Sequence, residues 1–386
     1  MANQKRTKIK NKTDATLKRS PIPYGRQRIG ADDIRTVISV LKSDWLTQGP
    51  MVKRFEESLA RYCGAKFAVA VSSGTAALHL AYLAAGLQPD DEVITTPNTF
   101  VATSNMLLAV KARPVFCDIR LDNYNLDETK IESLITSKTK AIVPVHFAGH
   151  PCEMDSILSL AKKHNLLVIE DACHALGASY KNTKVGGIGD MTVFSFHPVK
   201  SITTGEGGAI LTNNKNFYEK LLLLRSHGIT KDKNGFNVMA ELGHNYRVTD
   251  IQAALGLSQL KKLDGFIKKR SELMSGYYRE LKDVKNIILP RITENIISAG
   301  HIFIIRVKDR AKRLKLMEFL KNNGIGVNFH YPAVYSHPYY RQNGYDGLTL
   351  DNEEIYSSSC VTLPLYPNLK LESIEYICDK IKTFFK

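Results

Sequence analysis

The sequence lacks the long apolar run that a membrane-spanning helix requires. No uninterrupted apolar stretch approaches the roughly 20 residues that cross a bilayer, and no apolar signal core follows the charged residues at the N-terminus. These absences predict a cytoplasmic protein that has no membrane partner.

Cysteine is scarce, and its spacing does not suit a metal site or a disulfide framework. None of the six cysteines forms a CxxC pair, and most lie inside apolar runs, which favours reduced structural thiols. His146 and His150 have the i, i+4 spacing of a metal pair, but that spacing requires a helix. Because Gly149 and Pro151 interrupt this segment, we predict no metal site.

Acidic residues are outnumbered, since 53 Lys and Arg face 38 Asp and Glu, for a net charge of +15. Residues 1–21 lack hydrophobic periodicity, so we predict a flexible basic N-terminal tail there. The acidic residue of this tail is Asp14, and its basic residues are Lys5, Arg6, Lys8, Lys10, Lys12, Lys18 and Arg19.

Past the tail, positive charge is spread along predicted helix faces such as KKLDGFIKKR and is not interleaved with aromatic residues. This distribution does not favour nucleic acid as a partner. A globally basic enzyme would instead attract an anionic small substrate to its cleft.

From Phe67 the sequence alternates between apolar strand runs and helical segments, which predicts a mostly parallel sheet covered by helices on both faces. We therefore expect a large three-layer α/β/α domain over residues 22–265. From about Asp283 the pattern changes to strand, helix, strand and helix, which predicts a smaller C-terminal α+β domain over residues 266–386. The strand runs of the large domain are FAVAV, DEVITTP, PVFCDI, AIVPVH, LLVIED, MTVFSF and GAILTN.

Two helices are predicted in more detail. The first follows a cap at Asp32 or Asp33 and places Ile34, Val37, Ile38 and Leu41 on one apolar face. A second pattern opens with a cap at Thr249-Asp250 and stays helical for too long to serve one compact domain, so we expect it to bridge the two domains.

A lone lysine, Lys200, follows the apolar run from Met191 to Phe196 in the stretch FSFHPVKSITTGEGG. A lysine among apolar and aromatic neighbours has a lowered pKa, and its neutral amine forms a Schiff base with an aldehyde such as pyridoxal phosphate. On this stretch alone, a solvated loop lysine is an equal alternative.

The run LLVIEDACHALGA places Asp171 at the end of a predicted strand. Pyridoxal chemistry needs a carboxylate that keeps the pyridine nitrogen protonated, so that the ring accepts electrons from the substrate. Asp171 suits that role, although a carboxylate in this position is also common as a helix cap.

A third element, VAVSSGTAALHLA, breaks a strand at Ser72 to Thr75 before a helix rich in Ala and Leu. Free N–H groups at a helix N-terminus form an anion site that suits a phosphate. The segment is not a P-loop, because it lacks Gly-Lys-Ser/Thr. All three candidates follow predicted strand ends, where open α/β sheets bind ligands.

These three parts in this order, together with FSFHPVKSITTGEGG and HNYRVTDIQAALGLSQL, resemble the DegT/DnrJ/EryC1/StrS sugar aminotransferases of fold type I. The resemblance runs from about Ile22 to the C-terminus. It implies an enzyme that uses pyridoxal 5'-phosphate and works as a homodimer with shared active sites. Lys200 and Asp171 would be catalytic, and Gly74 and Thr75 would hold the cofactor phosphate.

The resemblance also implies roles for four further residues. Ser195 would add a hydroxyl to the phosphate site, and Phe100 would stack on the cofactor ring, although a core phenylalanine fits its spacing nearly as well. His174 stands where the family has Gln or His near the cofactor's phenolic oxygen. Asn245 would reach the partner subunit's cofactor phosphate.

Candidate substrate contacts are less specific. Arg247 is a candidate for a carboxylate or diphosphate, because a guanidinium binds both in fork geometry. His330 and Tyr331 lie in the stretch NFHYPAVYSHPYY, which could close over a substrate. A tyrosine-rich core strand and turn would give a similar pattern.

Several segments narrow the expected substrate by resemblance: IPYGRQRIG, DWLTQGP, EDACHALGASY, RSHGI, PYYRQNGY and TLPLYPNL. They are most similar to family members of pseudaminic acid biosynthesis that aminate C4 of a UDP-linked 4-keto-6-deoxy-N-acetylhexosamine, and we expect glutamate as the amino donor. Another nucleotide-keto-sugar C4 or C3 aminotransferase is an alternative. Dehydratase relatives carry histidine in place of the lysine, so Lys200 argues against them. A noncatalytic regulatory or nucleic-acid-binding protein on this fold is a remote alternative.

Overall fold

A computed structural model describes residues 20–386, so nearly all of the predicted basic tail lies outside the described residues. The α-helices within that range are α1 (Ala31–Leu41), α2 (Pro50–Cys63), α3 (Gly74–Ala84), α4 (Ala102–Ala109), α5 (Met154–His164), α6 (Lys215–Arg225), α7 (Asp250–Leu260), α8 (Leu263–Leu281), α9 (Arg313–Asn322), α10 (Pro338–Tyr340), α11 (Asp351–Ser359) and α12 (Leu371–Phe385).

The strands of the same range are β1 (Phe67–Val71), β2 (Glu92–Thr95), β3 (Arg113–Phe116), β4 (Thr139–Val143), β5 (Leu167–Asp171), β6 (Ser179–Tyr180), β7 (Thr183–Lys184), β8 (Met191–Ser195), β9 (Gly208–Thr212), β10 (Ile229–Lys231), β11 (Asn237–Met239), β12 (Ile287–Ile288), β13 (Ile296–Ile297), β14 (Phe303–Val307) and β15 (Cys360–Leu363). Each strand predicted for the large sheet is confirmed.

The largest sheet of the described chain has seven strands in the order β1-β9-β8-β5-β4-β2-β3. Strand β9 is antiparallel to both of its neighbours, and the pairs from β8 to β3 are parallel. The C-terminal ends of β2, β4, β5 and β8 therefore meet at one edge, where polar side chains that follow each strand can converge.

Alternate residues of these strands pack on opposite faces of the sheet. In β1, Ala68 and Ala70 join a core with α2 and α7, whereas Val69 and Val71 join a second core with α3 and α6. This alternation follows from the two-residue period of a strand. The predicted three-layer α/β/α arrangement is confirmed.

A smaller antiparallel sheet, β12-β14-β15, packs with α8, α9 and α12 around a separate core. The predicted strand IGVNFHY is wrong in part, because only isolated bridges form there, one of them between Asn328 and Thr362. The second main strand of this sheet is β15 instead. After Asn328 the chain turns toward the active-site cavity described below.

The long helical pattern after Thr249 divides into α7 and α8, with a break at Lys261-Lys262. Thr249 caps α7, since its side chain accepts a hydrogen bond from the Gln252 N–H. Helix α8 contributes Leu263 to the large core and Leu273 to the smaller one. The domain boundary at residues 265 and 266 stays a prediction.

Helix α1 departs from its prediction at its N-terminal cap. Its N-cap is Gly30, because Asp33 lies in the first turn and accepts the Gly30 N–H. Asp33 also accepts hydrogen bonds from Ser258 and Gln259, which ties α1 to α7. The predicted apolar face is largely exposed, with Ile38 at 43%.

Within residues 20–386 no helix combines the length and hydropathy needed to cross a membrane. All six cysteines are free.

Candidate active site

A cavity of about 460 Å³ opens at the C-terminal edge of the large sheet. Its lining comes from the start of α3, the segment after β2, the ends of β5 and β8, and residues 328–331. The volume lies within the range of small-molecule sites. Of the sequence-predicted site residues, it brings together Lys200, Asp171, Gly74, Thr75, Ser195, Phe100, His174, His330 and Tyr331.

The first wall of the cavity is the N-terminus of α3. Ser73 caps the helix by accepting the Ala76 N–H at 3.0 Å. The N–H groups of Gly74 and Thr75 donate no hydrogen bond to any residue of the described chain. They are therefore free to bind an anion, and the helix dipole favours one.

Two glycines allow this wall to form. A Cβ on Gly74 would meet the Ser195 Cβ at 2.9 Å, and a Cβ on Gly208 would meet the Ser73 carbonyl oxygen at 2.5 Å. The ends of β8 and β9, which flank the loop that carries the lysine, thus lie directly against the helix N-terminus. Ser195 pairs with Gly208 in the sheet, which fixes its position beside the free N–H groups.

The floor of the cavity holds Asp171, whose side chain is almost fully buried. Thr103 donates its hydroxyl to Oδ2 of Asp171 at 2.7 Å, and the Cys173 N–H donates to Oδ1 at 3.1 Å. Thr103 is held in turn by Thr99 at 2.8 Å. Each carboxylate oxygen has one donor and keeps lone pairs for a cationic ring nitrogen.

Lys200 lies in the loop between β8 and β9, and its backbone N–H donates to the His197 carbonyl. Burial lowers the pKa of its ammonium group, and the neighbouring Cys173 and Asp171 oppose that shift. A lowered pKa increases the fraction of neutral amine, which is the nucleophilic form. The solvated-lysine alternative is therefore not supported.

His174 lies inside a group of aromatic rings. Its Nε2 is 3.3 Å from the Tyr331 hydroxyl, and its ring centroid is 4.3 Å from that of His301. Burial, followed by the charges of Lys200 and His330, lowers the pKa of His174 well below its usual value. His174 is therefore a neutral imidazole at physiological pH.

The remaining wall comes from Phe100 and the segment that contains His330. Phe100 is 56% exposed, and its ring centroid is 6.1 Å from that of Tyr331. Such exposure argues against a core role for Phe100. The Nδ1 atom of His330 is hydrogen-bonded to the Thr362 hydroxyl at 2.9 Å, and burial lowers the pKa of His330 to about 4.

Two predicted residues do not line the cavity. Asn245 pairs with Ser226 and Arg247 pairs with Val71 through isolated β-bridges, which place both on the strand-like segment before α7. Asn245 is exposed. Their assigned roles stay predictions, since Asn245 was expected to act on a second subunit.

The histidine pair considered for metal binding has protein partners. The Nε2 atom of His146 is hydrogen-bonded to the Glu170 carboxylate at 2.8 Å, and that of His150 to the Thr293 hydroxyl at 3.1 Å. No group of three or more potential metal ligands occurs within residues 20–386.

Sequence reasoning missed Thr103, His301 and Tyr24, all of which line the cavity. Thr103 follows a strand end in the stretch NTFVATS, and that position was a usable signal. His301 precedes β14 and reaches the site only through tertiary packing, so nothing local marks it. Tyr24 lies in an extended segment near the N-terminus, which pairs with the small domain through a β-bridge between Ile22 and Ile325.

These residues fit pyridoxal phosphate. The unpaired N–H groups of Gly74 and Thr75, with the Ser195 hydroxyl, suit the phosphate. Asp171 suits the pyridine nitrogen, and Lys200 suits the aldehyde.

Comparison with known proteins agrees with this fit. Residues 27–382 match the DegT/DnrJ/EryC1/StrS aminotransferase family. A Campylobacter jejuni protein named UDP-4-amino-4,6-dideoxy-N-acetyl-beta-L-altrosamine transaminase is 40% identical, over 93% of this chain and 96% of its own.

Two solved structures share the fold. Helicobacter pylori PseC, an aminotransferase involved in pseudaminic acid biosynthesis, superposes with a TM-score of 0.91 at 38% identity, covering 95% of this chain and 99% of its own. A sugar-aminotransferase candidate from Streptococcus pneumoniae, in its PLP form, gives a TM-score of 0.90 at 30% identity, with 95% and 98% coverage.

The match spans both sheets and every residue of the cavity described above except Tyr24. The fold is that of a fold type I aminotransferase, and the cofactor is pyridoxal phosphate. The chain therefore belongs to the DegT/DnrJ/EryC1/StrS aminotransferase family and is a sugar aminotransferase.

Proposed function

We propose that this enzyme transfers an amino group from glutamate to C4 of UDP-2-acetamido-2,6-dideoxy-beta-L-arabino-hexos-4-ulose, a step of pseudaminic acid biosynthesis. The observation that carries the proposal is the cavity in which Lys200, Asp171 and the free N–H groups of Gly74 and Thr75 meet. The relative from C. jejuni and the H. pylori structure support this choice of sugar. The proposal includes a cytoplasmic site of action and supply of the sugar for flagellin glycosylation.

When bound, pyridoxal phosphate supplies an electron sink and a carrier for the amino group. Lys200 would hold it covalently through Nζ until the amino donor displaces the lysine. The same Nζ, as a neutral amine, would then accept and return the proton that moves during transfer. Its lowered pKa favours this base function.

Other residues would orient the cofactor and the sugar and would balance the charge on the cofactor ring. Asp171, fixed by Thr103 and the Cys173 N–H, would hold a positive charge on the ring nitrogen. Phe100, which is exposed to the cavity, would cover the ring face. His330 and Tyr331, on the same wall as Phe100, would contact the sugar.

The proposal includes a homodimer in which each site is completed by the partner subunit. The cavity has no arginine in its lining among the described residues, although both proposed substrates are anionic. Asn245 and Arg247 lie outside it and would serve the neighbouring site. Exposed apolar side chains of α1 and of the β10–β11 hairpin, including Ile34, Phe236 and Met239, support an interface, because surface patches of this kind mark association sites.

The test is a reaction with defined substrates. Purified enzyme loaded with pyridoxal phosphate receives glutamate and, in parallel, UDP-linked 4-keto and 3-keto sugars, and products are analysed by mass and NMR. The proposal expects a 4-amino sugar from the L-arabino 4-keto substrate, together with 2-oxoglutarate. Preferred turnover of a 3-keto sugar, or of a 4-keto sugar of another configuration, would favour the alternative family activity instead.

A further inference from the structure

His174 has an unusual environment for a histidine that must hold one orientation. Such residues are normally fixed by a hydrogen bond at the ring nitrogen that faces away from the ligand. In His174 the nitrogen Nδ1 is buried and has no hydrogen-bond partner among residues 20–386. Only Nε2 has a polar neighbour, the Tyr331 hydroxyl at 3.3 Å. The orientation of this ring therefore depends on packing and on its one hydrogen bond to Tyr331.

Three rings pack against His174, and the nearest belongs to His301. The centroid distance to His301 is 4.3 Å, compared with 6.0 Å to Phe147 and 6.1 Å to Tyr331. The planes of the two imidazoles are inclined by 41°. This separation is a direct ring contact.

His301 is itself held firmly, but through its backbone. Its N–H donates to the Ala148 carbonyl at 3.0 Å, and its carbonyl accepts from the buried guanidinium of Arg270 at 3.1 Å. The same Arg270 nitrogen also donates to the Gly300 and Leu365 carbonyls. Burial lowers the pKa of Arg270 to about 10, so the group stays charged at neutral pH.

The side chain of His301 has no role in this anchoring. Its Nδ1 is buried without a partner in the described chain, and the residue lines the same cavity as His174. An imidazole that makes no hydrogen bond but packs against a second imidazole can restrict the orientation of that ring through van der Waals contact.

We propose that His301 is a positioning residue, whose ring holds His174 by direct contact in the orientation that presents Nε2 to the bound cofactor. The inference rests on the proposed position of His174 beside the cofactor, but not on the identity of the sugar. Helix α8, through Arg270, and the turn at Ala148 fix the His301 backbone that supports this contact.

The test compares variants by their apparent dissociation constant for pyridoxal phosphate and by the absorption maximum of the loaded protein, both without substrate. His301→Phe keeps a planar ring of similar size and removes both nitrogens, whereas His301→Ala removes the ring. Thermal unfolding of the cofactor-free proteins checks that each variant folds. His164→Phe, at the end of α5 and outside the cavity, is the matched control.

The proposal expects His301→Phe and the control to match the unchanged protein within about twofold. His301→Ala should weaken cofactor binding roughly threefold to tenfold, the effect of one weakened hydrogen bond, and should shift the absorption maximum. In a His174→Ala background, the further change His301→Ala should have no additional effect, because a positioning residue acts through its partner.

Three results would overturn the proposal. Equal losses in His301→Phe and His301→Ala would mean that a ring nitrogen of His301 contacts the ligand directly. If the losses of cofactor affinity caused by His301→Ala and His174→Ala add up in the double variant, the two residues act independently. If His301→Ala has no effect on cofactor binding, His301 does not position His174. If His301→Ala does not fold, His301→Leu, which has volume but no planar ring, replaces it in the same cycle. Because no sugar is present, failure of the proposed substrate would leave this measurement unaffected.

Discussion

At the scale of single residues, the reactive groups of the site have few hydrogen-bond partners within the protein. Lys200 has a lowered pKa because of burial, while the N–H groups of Gly74 and Thr75 remain unpaired within residues 20–386. The half-buried amine and these N–H groups line the same cavity, where a bound anionic ligand can pair with them.

Asp171 provides the first prediction at this scale. Asp171→Asn changes volume little but removes the charge opposite the ring nitrogen, so the rate of amino transfer should fall by more than about tenfold, or roughly 1.4 kcal/mol of barrier. Thr103→Val removes one hydrogen bond to that carboxylate and should lower the rate less, by about tenfold at most. Steady-state rates on the cofactor-loaded variants check both, and a larger effect of Thr103→Val would mean that Asp171 is not the principal partner.

His330 provides a prediction for pH. Burial lowers its pKa from 6.5 to about 4, so between these values the unfolded chain binds a proton that the folded chain does not. Stability therefore falls as the pH falls through this window. At pH 5 this one histidine should cost roughly 2 kcal/mol relative to pH 7.

Urea unfolding of the cofactor-free protein at pH 7 and pH 5 measures this cost. His330→Gln should lose about 2 kcal/mol less than the unchanged protein over the same pH interval. Equal losses in both proteins would assign the acid sensitivity to other groups, such as the buried His174 and His301.

Residues at strand ends could be predicted from sequence, and residues brought in by tertiary packing could not. Lys200, Asp171 and Ser195 each follow a recognisable apolar run, so their chain position predicted their place at one edge of the sheet. His301 comes from outside that alternating pattern and reaches the cavity because Arg270 and Ala148 fix its backbone. No local signal encodes that contact.

At the scale of elements, the strands of the large sheet were easier to predict than what packs against each helix face. Every strand of the large sheet was correct because β1, β5 and β8 are buried on both faces and read as continuous apolar runs. For α1 the apolar periodicity was correct, yet Ile34, Ile38 and Leu41 are exposed in the single chain. Periodicity reveals an apolar face but not what covers it.

That exposed face gives a prediction about assembly. Ile38→Glu would place a charge in the proposed dimer interface, where an unpaired buried charge is costly. We expect the dimer dissociation constant to rise by at least about tenfold, measured by analytical ultracentrifugation. Ser39→Glu, one residue along the same helix, is the matched control and should assemble normally. Unchanged assembly of Ile38→Glu would show that α1 lies outside the interface.

At the scale of the whole molecule, the open question is whether each active site belongs to one chain or two. Asn245 is exposed and lies outside its own cavity, so its side chain is accessible to a neighbouring subunit. If Asn245 binds the partner's cofactor phosphate, cofactor binding should also favour the dimer by linkage.

A mixed dimer tests this arrangement. Chains that carry Lys200→Ala are combined with chains disabled by Asn245→Glu, a charged replacement chosen because loss of one hydrogen bond costs only about 1 kcal/mol. One site of each mixed dimer then contains an intact lysine and the other chain's intact asparagine. Activity approaching that of one unmodified site would place Asn245 in trans, whereas no recovery after subunit exchange would mean that it serves its own chain or no active site.

The central claim is that Lys200 holds the cofactor. Purified enzyme loaded with pyridoxal phosphate is treated with borohydride and digested, and the peptides are mapped by mass spectrometry. Lys200→Arg serves as the control, because a guanidinium keeps its charge and does not react with an aldehyde.

The account predicts loss of visible absorption and one phosphopyridoxyl group on the peptide that contains Lys200. The Lys200→Arg protein should remain folded, carry no label and have no aminotransferase activity. Label on a different lysine, or near-normal turnover by the arginine variant, would contradict the account.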